Sequence, residues 1–314
     1  MDLKKQELSL LVKRMSSTYG FCKVGISRAD FLPKENNRLK EWVKKSYHSD
    51  MVWIERRLNE RSNILNYFPD VKTVISLATN YFTGTNDSNS KNKISNYAWG
   101  DDYHEVIKPR LYSMLNEIKL INQDIEGIVC VDTSPIMEKP WAQRSGLGWI
   151  GKNTNLITRD YGSWIFLSEI LLNIELDYDS PFIEDLCGSC TACIDECPTG
   201  ALNEYILDSN KCISYHTIEN RQDFNDLVFT PEQFNGYIYG CDICQNVCPW
   251  NIKFSSISED NSFTKRRSIE SIDNKKGWIN LDQEIFTRTF KNSAVKRTKF
   301  SGLKRNIKYT NNIS

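Results

Sequence analysis

The residues of this 314-residue chain with the plainest chemistry are its ten cysteines, eight of which lie between Cys187 and Cys248. The string CGSCTACIDECP sets Cys187, Cys190, Cys193 and Cys197 at x2, x2, x3 spacing with Pro198 behind them, the run by which bacterial ferredoxins hold [4Fe–4S] clusters. The string CDICQNVCP repeats the end of that pattern with Cys241, Cys244, Cys248 and Pro249, and Cys212 is the one candidate left for a fourth ligand. In two-cluster ferredoxins the cysteine before the proline ligates the other cluster. One cluster is therefore assigned Cys187, Cys190, Cys193 and Cys248, and the other Cys197, Cys212, Cys241 and Cys244. Structural zinc and disulfides are the competing uses. Zinc does not call for three cysteines at x2-x2 followed by x3-C-P, and no secretion signal supports oxidation. Cys22 and Cys130 lie inside apolar runs and are expected to be buried thiols.

Two other features invite a chemical reading. Gly146-Leu-Gly148-Trp-Ile-Gly151 is a literal GxGxxG, but EKPWAQRS before it is not strand-like and the nearest apolar run ends at Val131. A glycine-rich loop is the better reading than a dinucleotide site. Asp132 ends the run Ile128–Val131, where a carboxylate would face the crevice of an α/β sheet. Asp-Thr-Ser-Pro is equally a good helix start, with a polar cap and Pro in first position, and on residues alone the cap is favoured. His48, His104 and His216 are too few and scattered for a metal set and read as helix-surface or core residues.

The elements that must position these residues are legible as alternating patterns. Apolar, β-branched runs (Cys22–Ile26, Thr73–Ala78, Ile128–Val131) alternate with helix-like stretches (Leu3–Tyr19, Arg38–Glu60, His104–Asn122), the pattern of an α/β layer fold. Residues 1–175 are read as one α/β domain. Glu175–Asp185, with five acidic residues and one proline, is a surface connection into a cysteine module over 176–255. In the remaining segment, 256–314, the stretch Ile285–Ser314 holds eight Lys/Arg and no acid. Gly84–Lys93 reads as a flexible polar loop. Lys+Arg and Asp+Glu balance at 40 each, and 40% hydrophobic with 25% charged residues is a globular composition that excludes a disordered or fibrous chain. No apolar run approaches the roughly 18 residues of a membrane helix, and MDLKKQELSLLVKRM has no secretory h-region, so a cytoplasmic protein is expected.

The block VDTSPIMEKPWAQRSGLGWIGKNTN, together with RSNILNYFP, NYAWGDDYH and SAVKRTKFSGLKRNI, resembles the epoxyqueuosine reductases, cobalamin-dependent iron–sulfur enzymes that complete queuosine in tRNA. The resemblance runs over nearly the whole chain, and the VDTSP to GWIGKN block and the paired cysteine strings carry most of it. It implies an α/β cobalamin-binding and catalytic domain over 1–175, a ferredoxin-like α+β domain over 176–255 with two [4Fe–4S] clusters, and a basic segment over 256–314 that contacts tRNA. The implied reaction is a two-electron reduction in which the epoxide oxygen on the cyclopentane ring leaves as water. The implied partners are tRNA carrying epoxyqueuosine in its anticodon and a low-potential electron donor that the sequence does not name, with no membrane and a monomeric enzyme. Asp102-Tyr103-His104 begins like the Asp-x-His-x-x-Gly element of one cobalamin class, but Ile107 stands in the place of its glycine. That departure is compatible with the family's cobalamin, which has no protein histidine as lower ligand.

By the same resemblance Asp132 becomes the catalytic acid, which requires a carboxyl protonated by burial or by negative neighbours. Arg144, Lys152 and Asn153 flank the glycine loop and are implied cobalamin contacts, with Arg61 and Ser163 as further positions at the cofactor. Lys296, Arg297, Lys299 and Arg305, with Phe300 among them, have the charge and aromatic content of a phosphate-contacting surface. A reductive dehalogenase-like enzyme acting on small organohalides shares the implied cofactor set, and a non-catalytic electron-transfer subunit is the alternative from another class.

Overall fold

The computed structural model describes residues 5–85, 90–224, 227–273 and 277–312. Four strands form the central sheet: β1 (Lys23–Arg28), β2 (Thr73–Asn80), β3 (Gly127–Cys130) and β4 (Ile165–Leu172). Their order is β1-β2-β4-β3, and every neighbouring pair is antiparallel. The expected α/β fold is thus corrected to an antiparallel, α+β arrangement. Alternation of strands and helices along the chain suggests parallel crossovers, but β4 lies between β2 and β3 and runs against both, so no parallel pair forms in this sheet.

Helices cover both faces. Helix α1 (Lys5–Thr18) and helix α2 (Tyr103–Ile121) pack Leu8, Val12, Ile107, Leu111 and Met114 against Ile75, Leu77, Phe166 and Ile170 of the sheet. On the opposite face, helix α3 (Glu138–Arg144) sets Trp141 with Val74, Cys130 and Leu171. All eight residues of β2 are buried, as a strand covered on two sides requires. Close approach of α3 depends on Gly25, where a Cβ would stand 2.0 Å from the carbonyl oxygen of Ser145. The expected helix-like stretch Arg38–Glu60 is three pieces, Pro33–Lys44, Val52–Arg56 and Leu58–Ser62, with the first break at Ser46 and Ser49, both at positive φ.

The cysteine module is built from two matching turns. Cys193 lies on the short helix Ala192–Asp195 and Cys244 on the short helix Ile243–Asn246, and these two helices pack together. Cys212 and Cys248 each precede a helix, Ile213–Ile218 and Pro249–Phe254.

The boundaries expected at 175 and 255 are crossed by packing. Lys93–Ile94 pairs in parallel with Tyr237–Tyr239 of the cysteine module. Ile94, Ala98 and Trp99 share one core with Ile238 and Tyr239 and with Ile269, Phe286, Phe290, Leu303 and Ile307 of the C-terminal segment. That segment is therefore a folded helical layer whose last helix is Lys299–Thr310. Within the expected loop Gly84–Lys93, residues 86–89 lie outside the described residues, and Lys93 is already strand. Among the described residues no helix is long and apolar enough to cross a membrane.

Candidate active site

Asp132 lies two residues beyond the end of β3 at φ 52°, a left-handed backbone that costs a residue with a Cβ about 1–2 kcal/mol. The helix that follows begins only at Glu138, after Met137, so Asp132 caps nothing and the capping reading of Asp-Thr-Ser-Pro is set aside. Its backbone N–H donates to Glu138 Oε1 at 2.5 Å. His104 Nε2 stands 3.4 Å from Asp132 Oδ2, and His104 Nδ1 stands 2.8 Å from Oδ1 of Asp102. Asp102 in turn caps α2 by accepting from the His104 backbone N–H at 3.1 Å. The Tyr103 ring lies flat between His104 and Phe166, and its hydroxyl hydrogen-bonds Asp132. Asp102, Tyr103, His104, Asp132 and Glu138 thus form one cluster. Sequence reading found only Asp132 of it and left His104 as a packing residue. The available signal was the Asp-x-His pair at a helix start, which lets the cap also orient the imidazole.

The protons of this cluster do not sit where the sequence suggested. Burial in the crevice raises the Asp132 carboxyl, but hydrogen bonds from His104 and Tyr103 and the charge of His104 outweigh it and hold the group below its ordinary range. Its side chain is 60% exposed, so water tempers that burial. Burial lowers His104, yet Asp102 and Asp132 together lift it to about 9. Glu138 is pushed up to about 8 by burial and by the charge of Asp132. Proton affinity is thus raised at His104 and Glu138 and lowered at Asp132, against the expectation that burial or negative neighbours favour a protonated Asp132: its cationic and hydroxyl neighbours outweigh the desolvation.

Asp132 and Glu138 line a crevice of about 220 Å³ with Tyr81, Tyr97, Tyr103, Lys139, Asn155 and Ser163. Ser163 is tied to the cysteine module, its Oγ donating to Gln245 Oε1 at 2.9 Å and its N–H to Asn251 Oδ1 at 2.6 Å. A second cavity of about 220 Å³ shares Tyr97, Lys139 and Asn155 with the crevice and is lined by Cys197, Cys212, Cys241 and Cys244. A third, of about 120 Å³, is lined by Cys187, Cys190, Cys193 and Cys248 and meets the second at Asn153. None of the ten cysteines is in a disulfide, and eight of them divide between the cavities four and four. Among the described residues no three His, Cys, Asp or Glu side chains converge on a single-ion position. Each set of sulfurs surrounds a volume, which suits a four-iron cube better than one tetrahedral zinc.

The remaining expected site residues fall in three places. Arg61 stacks on Trp53, donates to the Ile136 carbonyl at 3.4 Å and feels the charges of Asp132 and Glu138, so it borders the acid. Lys152 and Asn153 line the cysteine cavities instead; Lys152 pairs with Glu204 at 2.7 Å and Asn153 donates to the Cys244 carbonyl. Arg144 is engaged elsewhere, in an ion pair with Asp30 at 2.9 Å at the far end of α3. The glycine loop serves packing more than ligand approach. A Cβ on Gly148 would stand 2.0 Å from the Ile157 carbonyl oxygen, within the hairpin that pairs Trp149–Ile150 with Leu156–Ile157.

Of the four basic residues, Lys296, Arg297 and Lys299 are exposed. Arg297 makes a two-pronged pair with Glu219, both contacts at 2.9 Å, and its charge reaches Asp132. Arg305 is not a free surface cation, which corrects that expectation. Its guanidinium donates to the backbone carbonyls of His216, Asn220 and Gln222 and lies 4.0 Å from the Phe224 ring centroid. Sequence cannot separate it from its neighbours because the difference lies in which helix face meets Ile213–Ile218.

Comparison with known proteins places this arrangement. An epoxyqueuosine reductase of Cellulophaga algicola is 41% identical over 310 residues, spanning 97% of this chain and 98% of its own. The chain belongs to the epoxyqueuosine reductase family. Residues 61–133 match the family described as epoxyqueuosine reductase QueG, DUF1730, and residues 186–251 match a 4Fe-4S double cluster binding domain. A crystal structure of an epoxyqueuosine reductase with an epoxyqueuosine-modified tRNA-Tyr stem loop superposes with a TM-score of 0.84 at 26% identity, covering 98% of this chain and 81% of that one. The Bacillus subtilis epoxyqueuosine reductase, captured with its catalytic aspartate loop swung out of the active site, gives a TM-score of 0.83 at 25% identity over 98% of this chain and 82% of its own. The chain is thus an oxidoreductase by family.

Proposed function

We propose that this chain reduces epoxyqueuosine to queuosine in the anticodon of tRNA, with Asp132 as the acid at a cobalamin site fed by two [4Fe–4S] clusters. The carrying observation is the contiguity of three cavities, from Cys187/Cys190/Cys193/Cys248 through Cys197/Cys212/Cys241/Cys244 to the crevice of Asp132. The two cysteine sets would each hold one cluster and supply electrons singly. Tyr81, Tyr97, Tyr103, Lys139 and Asn155 line this crevice with aromatic and polar groups suited to a corrinoid's ring and amide rim, and Arg61 borders the same crevice. Cobalamin, if held there, would supply a strongly reducing cobalt centre.

The overall reaction takes two electrons and two protons. Both C–O bonds of the epoxide break, a C=C bond forms between the former epoxide carbons, and the oxygen leaves as water. Asp132, whose neighbours favour its ionised form, would relay one proton at a time to the substrate oxygen. His104, protonated at neutral pH and 3.4 Å away, recharges it, and Asp102 keeps the imidazole aligned. The basic face lies beside this machinery, since the Asp102 backbone N–H donates to the Asn292 carbonyl at 2.9 Å and Arg297 is felt at Asp132. Lys296, Arg297 and Lys299 would grip tRNA phosphates while the modified base enters the crevice, as chemistry on a base requires. We further propose a monomer as the working unit, acting in the cytoplasm with a low-potential one-electron donor.

The test is turnover of an epoxyqueuosine-containing anticodon stem-loop by anaerobically prepared protein, with and without cobalamin. Conversion that needs cobalamin and fails in Asp132→Asn, with iron content retained, is expected. Conversion without cobalamin, or undiminished in Asp132→Asn, would overturn the reading.

A further inference from the structure

The Asp132 turn is held in an unfavourable backbone conformation by few bonds. Ser134 is tied by the side chains of Tyr67 and Cys130, and Ile136 by Arg61 at 3.4 Å. The local bonds Thr133 N–H to Val131 O and Ile136 N–H to Ser134 O lie within the turn and do not anchor it to the sheet. At Asp132 itself the backbone N–H has one acceptor, Glu138 Oε1, at 2.5 Å, and φ is 52°. Glu138 is the first residue of α3, whose Trp141 and Ala142 are buried against the sheet, so the acceptor is fixed to a rigid element while the donor is on a turn. An aspartate outside a helix or strand, left-handed and closed on itself only by the strained three-residue bond from Thr133 N–H to Val131 O, relaxes when that acceptor is removed.

We propose that Glu138 is the latch of the catalytic turn, a positioning residue whose carboxyl oxygen, by accepting the Asp132 N–H, holds the Asp132 side chain against His104 and in the crevice. This rests on the reading of Asp132 as the acid. With the latch made, Asp132 Oδ2 meets the imidazole. With it open, the left-handed residue reverts to an extended or right-handed backbone and the carboxylate turns away from both His104 and the reacting oxygen. The bond asks only for an acceptor oxygen, so a side-chain amide of the same length serves as well as the carboxyl group.

The experiment compares Glu138→Ala and Glu138→Gln in the full-length, cluster-loaded protein. Turnover of the modified stem-loop is read with amide hydrogen exchange over residues 130–137. Glu138→Ala is expected to lower kcat about 10²-fold, as a misplaced catalytic group does, with KM for the stem-loop and iron content near wild type and faster exchange across the turn. Glu138→Gln is expected to restore slow exchange and most of kcat. In the Asp132→Asn background Glu138→Ala should cost little more, because the group it positions is already lost. Unchanged exchange in Glu138→Ala would overturn the latch, as would Glu138→Gln as impaired as Glu138→Ala, which would mean that the charge or proton of Glu138 matters rather than its acceptor. Should Asp132→Asn prove fully active while Glu138→Ala still frees the turn, the assignment of the acid fails and the latch survives as a feature of the turn.

Discussion

Between Asp132 and His104 lies a carboxylate-to-imidazole contact in which each partner moves the other's proton affinity, and the pH dependence of the reaction follows from that exchange. His104 is raised to about 9, so the proton it offers is present at neutral pH and disappears as pH rises through that value. Turnover should therefore fall on the alkaline side near pH 9. In His104→Gln the rate should drop and its alkaline limb move to lower pH, measured as single-turnover rates across a pH series; an unmoved limb would separate His104 from the proton supply. The same sign applies to stability, since His104 contributes fully below its unfolded value and progressively less toward 9. Asp132→Asn should cost about 10²–10⁴-fold in turnover while leaving the melting temperature close to wild type. Asparagine tolerates the left-handed backbone as well as aspartate does, and no helix cap is lost.

Elements were legible wherever periodicity and burial agreed. Lys23–Arg28, Thr73–Asn80 and Gly127–Cys130 lie on the apolar runs, and the first helix and Tyr103–Ile121 match theirs. Strand Ile165–Leu172 was not legible, although it joins the sheet together, because Ser168 and Glu169 interrupt its apolar run. Both are wholly buried, and Glu169 is kept there with its carboxyl affinity for protons raised well above normal by burial. The division of eight cysteines between two cavities follows the grouping read from their spacing, since a motif that keeps its cysteines along a short stretch of chain leaves its mark in the sequence. The membership of Cys212 was reached only by elimination. Its place at the start of Ile213–Ile218, in the cavity of Cys197, Cys241 and Cys244, leads to a selective outcome. Cys212→Ser should disturb one cluster, seen as loss of one of two signals in electron paramagnetic resonance and roughly half the iron by analogy with two equal sites. Full retention of both signals would move the ligand elsewhere. Arg305 belongs to this scale as well. Arg305→Ala should destabilise the fold by about 1.5–3 kcal/mol, the range for hydrogen bonds to a charged group, read from denaturant midpoints.

Across the whole molecule the balanced charge conceals a local asymmetry that sequence shows as composition and structure sorts by exposure. Neutralising Lys296, Arg297 and Lys299 should weaken binding of the anticodon stem-loop and flatten its dependence on salt, because fewer counterions are released, with iron content unchanged. Identical binding curves across a salt series would remove these cations from the RNA surface. Residues 93–99 have a different bearing on the molecule. They are encoded in the first third of the chain, yet they pair with Tyr237–Tyr239 and share a core with Leu303 and Ile307. During synthesis this segment must wait first for Tyr237–Tyr239 and then for Leu303 and Ile307 before its partners are in place. The nascent protein therefore carries Ile94, Ala98 and Trp99 without these neighbours through most of translation. An order of assembly is thereby written into the topology: the four-stranded sheet, complete by Leu172, can form first, and the layer that joins residues 93–99 to Leu303 and Ile307 forms after it.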